Sequence, residues 1–227
     1  MVEQNNNLSG RPARYYQQSR ESMFKYIPEN VKKTLELGCA EGNFSELVKT
    51  NFGAECWGVE IDRQAAEVAA AKLDKVINVD VNKCLDEIPD NYFDCIICND
   101  ILEHLADPYT LLIDLKAKLT AESVVVASFP NVRYCRNLFE LVVRGNWDYK
   151  EHGILDKTHL RFFTYKSLVK LFQQLGYKLL TIEGLEPERN IKTIAVRLLT
   201  VLFLNKFKDI RYHHFACVAR PIPCGAA

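Results

Sequence analysis

This sequence of 227 residues has no net charge, no long apolar run and no low-complexity tract. A bilayer span needs about 20 consecutive apolar residues, so we expect no transmembrane helix. The N-terminal segment MVEQNNNLSGRPARYY lacks the apolar core of a signal peptide, which favours a cytoplasmic protein. Basic and acidic residues number 29 each, so no overall field attracts nucleic acid or anionic lipid. We therefore expect neither as a partner.

The eight cysteines do not indicate a disulfide framework or a metal centre. Most lie in apolar runs, where a free thiol behaves as a small hydrophobic side chain. Cys95 and Cys98 lie in the run FDCIIC, which is typical of a buried strand. No second pair of this kind and no nearby histidine completes a zinc site, and we assign no metal.

Short apolar runs alternate with helical patterns from Lys33 to Ser128. The runs TLEL, CWGVEI, KVINV, FDCIIC and SVVVAS have the length of strands. This alternation predicts an α/β fold with a mostly parallel sheet, whose ligands bind at the carboxyl ends of the strands. Further along, Thr164 is expected to cap the helix YKSLVKLFQQL, and YKLLTIEGL and IRYHHFACVAR predict two final antiparallel strands.

We expect a single domain over residues 18–227, preceded by a flexible tail over 1–17. Residues 130–163 carry aromatics, arginines and histidines without a clear period, which predicts a lid or insertion that contacts substrate. Residues 191–207 predict an inserted apolar helix that packs on the domain or on a second subunit of a homodimer.

A glycine loop follows the first predicted strand, in LELGCAEGNF. A dinucleotide fingerprint is excluded, because Ala40 and Asn43 stand where its second and third glycines would be. The spacing that fits is an acidic residue, a glycine, a small residue and a glycine: Glu36, Gly38, Ala40 and Gly42. Glu36 would repel a pyrophosphate and attract an ammonium group. S-adenosylmethionine carries such a group and no phosphate.

At this point the sequence resembles the class I S-adenosylmethionine-dependent methyltransferases. TLELGCAEGNF, GVEID, NVDV and FDCIICNDILEHLADP are similar to four successive motifs of that family. The resemblance implies a doubly wound, Rossmann-like sheet of seven strands with an antiparallel final hairpin. It also implies S-adenosylmethionine as the cofactor.

The motifs supply candidate cofactor contacts beyond the glycine loop. Glu60 lies about twenty residues after the loop, where a carboxylate accepts both ribose hydroxyls; the alternative is a helix-capping acid. Asp80 is expected to accept the adenine amino group, or else to cap a turn. The remaining candidates are Ile61 on the adenine face, the Val81 backbone and Asn99 near the methionine end.

Two histidines are candidate bases for an oxygen nucleophile. His104, in LEHLADP, follows the fourth strand; its alternative is a structural histidine. His159 lies in GILDKTHLRFFT, which resembles methyltransferases associated with glycan or secondary-metabolite pathways. Four further residues are expected to contact the substrate. Asp100 follows the fourth strand, His152 directly precedes the GILDKTHLRFFT segment, and Asp156 and Arg161 lie within it. A plainer alternative has Asp156 and Arg161 pairing to fix the lid while His159 caps a turn.

We therefore expect an S-adenosylmethionine-dependent methyltransferase that methylates an oxygen of a small hydroxylated acceptor, such as a sugar or a secondary metabolite. Two alternatives stay open, an N-methyltransferase and a non-catalytic S-adenosylmethionine-binding module. Nucleic-acid methylation is disfavoured, since NDIL stands where the motif for a flipped base would be.

Overall fold

The computed structural model describes residues 21–188 and 207–223. The predicted tail over 1–17 lies outside these residues, as does the predicted helix over 191–207 except for Phe207. The chain divides into two compact units. The first extends to Ile97 and includes Ala117–Ala121, and the second comprises Cys98–Lys116 and the chain from Glu122 onward. The single-domain organisation stays a prediction.

The first unit alternates strands with helices, as the sequence predicts. Its α-helices and strands, in chain order, are α1 (Glu21–Phe24), β1 (Lys33–Leu37), α2 (Asn43–Phe52), β2 (Glu55–Val59), α3 (Arg63–Ala70), β3 (Lys75–Ile77) and β4 (Phe93–Asn99), whose last two residues belong to the second unit. β1 pairs in parallel with β2 and with β4, and β2 pairs in parallel with β3. A 3-10 helix, Val81–Glu87, follows β3.

The second unit contains the reversed hairpin. β7 (Tyr212–Pro221) pairs antiparallel with both β5 (Leu119–Pro130) and β6 (Tyr177–Pro187). Three short 3-10 helices cover Leu102–His104, Leu115–Lys118 and Lys208–Arg211. The longer elements are α4 (Pro108–Asp114), β5 (Leu119–Pro130), which starts in the first unit, α5 (Cys135–Arg144), α6 (Tyr165–Gln174), β6 (Tyr177–Pro187) and β7 (Tyr212–Pro221).

The seven strands form one sheet in the order β3-β2-β1-β4-β5-β7-β6. The predicted α/β class, the seven-stranded, mostly parallel sheet and the antiparallel final hairpin are confirmed. No helix within residues 21–188 and 207–223 is long and apolar enough to cross a membrane.

Burial explains why β4 was recognisable from the sequence. Phe93 and the run from Cys95 to Cys98 are completely buried. A central strand of a parallel sheet is covered on both faces, so its sequence is continuously apolar rather than alternating. The cysteines of FDCIIC are core residues, as expected.

The region predicted as an insertion without clear period contains a helix, α5. It ends at Gly145, whose φ of 69° is the left-handed conformation that terminates helices. Its start has no side-chain cap, and none of its residues is buried. Two features that usually reveal a helix in a sequence are therefore missing here: an N-capping side chain and an apolar face that is buried against the core.

Candidate active site

The loop between β1 and α2 alternates into the left-handed conformation. Gly38, Ala40 and Gly42 have φ values of 69°, 49° and 75°. The backbone N–H groups of Gly38 and Cys39 both donate to the Val59 carbonyl, at 2.8 and 3.0 Å. These bonds fix the loop against the end of β2. The alternation of small residues read from the sequence therefore matches a repeated backbone requirement.

Gly42 is required for a second reason, which is space. A Cβ atom built on it would lie 3.1 Å from the Ala69 Cβ and 3.3 Å from the Leu73 Cγ. The loop thus approaches α3 so closely that a side chain at this position would require its neighbours to shift by a few tenths of an ångström.

Glu60 is the acidic residue that ties this loop to β2. It is 7% exposed, and its Oε2 accepts the Ala40 backbone N–H at 2.8 Å. Its Oε1 accepts the Asp62 backbone N–H at 2.9 Å. Burial raises the pKa of the Glu60 carboxyl, against the lowering effect of these two bonds. The N-cap of α3 is Asp62, which accepts the Ala65 N–H, so the capping alternative for Glu60 is wrong.

Glu36 lies beneath the loop rather than on its surface. It is 3% exposed, and its Oε2 accepts the Ser45 hydroxyl at 2.7 Å. Ser45 is itself buried on α2. The contact joins the end of β1 to the helix after the loop, so part of the acceptor capacity of Glu36 supports the loop itself. Its predicted attraction to an ammonium group stays a prediction.

The candidate adenine contacts follow β2 and β3. Ile61 is 43% exposed and Val81 is buried. Asp80 caps the 3-10 helix, because its Oδ1 accepts the Asn82 backbone N–H at 2.8 Å. The turn alternative is therefore present in the structure, and the contact to adenine stays a prediction. Asn78, which the sequence did not single out, donates to the carbonyls of Glu60 and Ile61.

In the second unit, Asn99 ends β4 and Asp100 follows it with a φ of 47°. The Ser128 hydroxyl accepts the Asp100 backbone N–H at 3.0 Å and donates to Asp100 Oδ1 at 2.5 Å. The Asp100 Oδ2 lies 3.7 Å from His214 Nε2. Asp100 is thus held in a strained conformation by Ser128 and faces a histidine of β7.

His104 and Asp156 are brought together through Thr158. The Thr158 hydroxyl donates to Asp156 Oδ1 at 2.7 Å and lies 3.0 Å from His104 Nδ1. The Thr158 carbonyl, which only accepts, is 3.2 Å from the same nitrogen. This pattern assigns the proton to Nδ1 and places the imidazole lone pair on Nε2. Asp156 is buried, as is His159 next to this group.

His159 is held in the same way from its own segment. Its Nδ1 faces the Ile154 carbonyl at 3.0 Å, and its Nε2 lies 3.9 Å from Oε1 of the buried Glu103. The rings of His104 and His159 meet edge to face with centroids 4.6 Å apart. The two candidate bases therefore form one cluster, in which His159 is the more buried.

Donor atoms of Glu103, His104 and His159 lie within 4.8 Å of one another, close enough to share a metal ion. The structure thus combines the LEHLADP residues with His159 into a group that is chemically able to hold a cation. The sequence assignment of no metal stays a prediction.

The other candidate substrate residues differ in placement. The Arg161 guanidinium donates to the carbonyls of Ala106 and Leu160, and its backbone N–H donates to Glu103. It fixes the segment to the Leu102–His104 turn through the main chain. His152 is exposed on the same segment.

A family model described as a methyltransferase domain matches residues 8–182 of the sequence. The chain belongs to this methyltransferase family. Membership confirms the family recognised from the four motifs, the S-adenosylmethionine-dependent methyltransferases, and with it the methyltransferase class and the cofactor.

Two curated methyltransferases are similar to the chain. The ubiquinone biosynthesis O-methyltransferase of Actinobacillus pleuropneumoniae serotype 5b (strain L20) is 26% identical over 140 residues, covering 58% of this chain and 56% of that protein. The chloroplastic tocopherol O-methyltransferase of Arabidopsis thaliana is 31% identical over 106 residues, covering 44% of this chain and 28% of that protein. The match thus spans about half the length of the first relative, and less of the second.

Solved structures share the fold. A SAM-dependent methyltransferase from Archaeoglobus fulgidus aligns with a TM-score of 0.67 and 23% identity, covering 88% of this chain and 91% of that one. At this identity the likeness describes the architecture and leaves the chemistry of the methyltransferase site to be argued from its residues.

Five residues that support the candidate site residues were not predicted: Ser45, Asn78, Ser128, Thr158 and His214. Most of them act on a residue far away in sequence; Thr158, for example, is 54 positions from His104. Only one local signal existed, the Asp-x-Thr spacing of Asp156 and Thr158, which is typical of a turn.

Proposed function

We propose that the protein transfers the methyl group of S-adenosylmethionine to a hydroxyl oxygen of a small acceptor, with His104 as the general base. The two curated relatives are both named O-methyltransferases, which favours oxygen over nitrogen. The observation that carries the proposal is the orientation of His104 by Thr158 and Asp156.

The first unit supplies the groups that would hold the cofactor. The left-handed loop of Gly38, Ala40 and Gly42 carries no side chain larger than a methyl group at these three positions, which suits a cofactor held by main-chain atoms. A carboxylate has about four lone-pair positions, so Glu60 can accept ribose hydroxyls in addition to the two backbone N–H groups. The exposed Ile61 offers an apolar face to adenine. Asp80 and Val81 complete the cofactor contacts proposed in this unit, and Asn99 stays a predicted contact to the methionine end.

When bound, S-adenosylmethionine would supply a methyl group on a sulfonium, whose carbon an oxygen nucleophile can attack in line while S-adenosylhomocysteine leaves as a neutral thioether. The protein must then take the proton of the acceptor hydroxyl. With its Nδ1 bonded to Thr158, His104 presents Nε2 as the proton acceptor. The nearby carboxylate of Asp156 stabilises the positive charge that the ring gains, acting through the Thr158 hydroxyl.

His159 is the weaker candidate for the base. It is only 8% exposed, and its Nε2 faces Glu103. We propose that it packs against His104 and fixes the ring plane, so that His159 is a positioning residue. Asp100, His152 and Arg161 are the proposed acceptor contacts from the surrounding segments.

Incubation with methyl-labelled S-adenosylmethionine and three acceptors, a catechol, a hexose and a primary amine, tests the proposal. We expect label in the catechol or the hexose, and an equal amount of S-adenosylhomocysteine. His104→Ala should slow transfer to a weakly acidic hydroxyl about 10²- to 10⁴-fold while binding of the cofactor persists. Glu67→Gln, a change at an exposed residue of α3 outside the proposed site, is the control.

The alternatives predict different results in the same experiment. Label in the amine alone, with no effect of His104→Ala, would replace the proposal by an N-methyltransferase. Saturable cofactor binding without labelled product from any acceptor class supports the non-catalytic module instead.

A further inference from the structure

A second group of donor atoms lies at the end of the β6–β7 hairpin where β6 ends and β7 begins, apart from the His104 cluster in sequence. Leu185 pairs with His214 and Pro187 with Tyr212, so Glu186 and the two histidines at 213 and 214 lie at one level of the hairpin. Glu186 has a φ of 50°, which a non-glycine residue rarely adopts. Strained backbone of this kind is concentrated at functional positions.

The strain accompanies an unusual convergence of side chains. Successive residues of a strand point to opposite faces, yet the Nδ1 atoms of His213 and His214 are 2.8 Å apart. The Glu186 Oε2 lies 3.6 Å from each of them. Three electron-pair donors from two strands therefore face one another.

The size of this triangle fits a metal ion. A point about 2 Å from all three atoms exists between them, and zinc is bound at about 2.0–2.1 Å by histidine nitrogen and about 2.0–2.2 Å by carboxylate oxygen. Two imidazole nitrogens and one carboxylate oxygen are a donor set of the kind used for zinc and similar divalent ions.

The other ring nitrogen of His214 has the partner that a metal-binding histidine needs. Its Nε2 lies 3.7 Å from the Asp100 Oδ2, and both side chains are nearly buried, at 9% and 10% exposure. A carboxylate on this side favours the Nε2–H tautomer and leaves the Nδ1 lone pair to the metal. The Glu186 side chain is 53% exposed, so an ion and its water ligands have access.

We propose that Glu186, His213 and His214 bind one divalent transition-metal ion, for which Zn²⁺ is the suited probe. The ion would join the end of β6 to the start of β7. This site is separate from Glu103, His104 and His159, and its occupancy does not depend on methyl transfer.

Metal binding to the full chain, first freed of metal by a chelator, tests the proposal. Zn²⁺ is titrated by equilibrium dialysis with metal analysis, and Co²⁺ is used to follow the visible absorption of a bound ion. We expect saturable binding that is weakened at least tenfold in both Glu186→Gln and His213→Ala. His152→Ala, which removes an exposed histidine outside both groups, should bind as the wild type does.

One further variant, His104→Ala, and one further readout, the Tm, keep the outcome decisive. Because Glu186 is half exposed, Glu186→Gln should fold even if His213→Ala does not, and Zn²⁺ should raise the Tm of the wild type more than that of Glu186→Gln. The proposal would be overturned if Glu186→Gln bound Zn²⁺ as tightly as the wild type does. It would also be overturned if His104→Ala lost the bound ion while Glu186→Gln retained it. The absence of saturable Zn²⁺ binding to the wild type would overturn it too.

Discussion

The Glu60→Gln substitution tests whether the Glu60 carboxylate holds the cofactor. In the wild type its two oxygens accept the backbone N–H groups of Ala40 and Asp62, at 2.8 and 2.9 Å. Glutamine preserves the size but replaces one acceptor oxygen by an NH₂ donor. One backbone N–H then faces another donor, and one ribose hydroxyl loses its acceptor.

The expected magnitude follows from these two losses. A hydrogen bond to a charged group contributes about 1.5–3 kcal/mol, so S-adenosylmethionine should bind roughly 10- to 150-fold more weakly. An unsatisfied buried backbone N–H costs about 1–3 kcal/mol, which should lower the free energy of unfolding by a similar amount.

Titration calorimetry with S-adenosylmethionine and denaturant unfolding measure the two effects separately. The matched control is Glu67→Gln, since Glu67 lies on α3 and pairs with Arg63 at the surface, where such pairs contribute little. The reasoning is refuted if Glu60→Gln folds and binds the cofactor within twofold of the wild type, as Glu67→Gln should.

Three further predictions concern the loop, the base and pH. Gly42→Ala should lower the free energy of unfolding by about 1–3 kcal/mol in denaturant unfolding, because Gly42 has a φ of 75° and lies against α3. The loss should be smaller in the control Gly53→Ala, because Gly53 has a φ of 64° and open space around it; equal losses would contradict the role of space. Thr158→Val removes the hydroxyl that lies between His104 Nδ1 and Asp156, so kcat should fall roughly 2- to 10-fold with KM unchanged. An unchanged kcat would contradict the proposed role of Thr158 in supporting His104. Because the pKa of Glu60 is raised in the folded protein, this carboxyl favours folding most below its unfolded pKa of about 4.3, and that contribution is lost as pH rises through the folded pKa. In this account cofactor binding requires the ionised Glu60 carboxylate. As the pH drops through the raised pKa, calorimetry should therefore show a lower affinity for S-adenosylmethionine and the release of protons on binding. Both effects should disappear in Glu60→Gln.

The fold was predictable because its signals are local. The buried run FDCIIC is apolar throughout, and Thr164 caps α6 through its hydrogen bond with Ser167, a pattern visible in the sequence. The helix α5 was not predicted, because it has no capping side chain and buries no residue. Local sequence therefore predicts the elements that bury a face and carry a cap.

The site was predictable only where spacing carries the information. The glycine loop and Glu60, both singled out by their spacing, lie twenty positions apart and are joined by one hydrogen bond. The support of His104 by Thr158, and of Asp100 by His214, comes from segments far away in the chain. Tertiary packing alone creates those contacts, and a single sequence contains no local signal for them.

The central claim, that His104 removes the acceptor proton during methyl transfer, is tested most directly by single-turnover rates of the wild type and His104→Ala at saturating cofactor. Hydroxyl acceptors of decreasing pKa should be compared, because an acidic hydroxyl needs a base less. We expect His104→Ala to slow transfer about 10²- to 10⁴-fold for a weakly acidic hydroxyl, and progressively less as the acceptor pKa falls, with cofactor affinity unchanged. Equal rates for both proteins across the series would contradict the account.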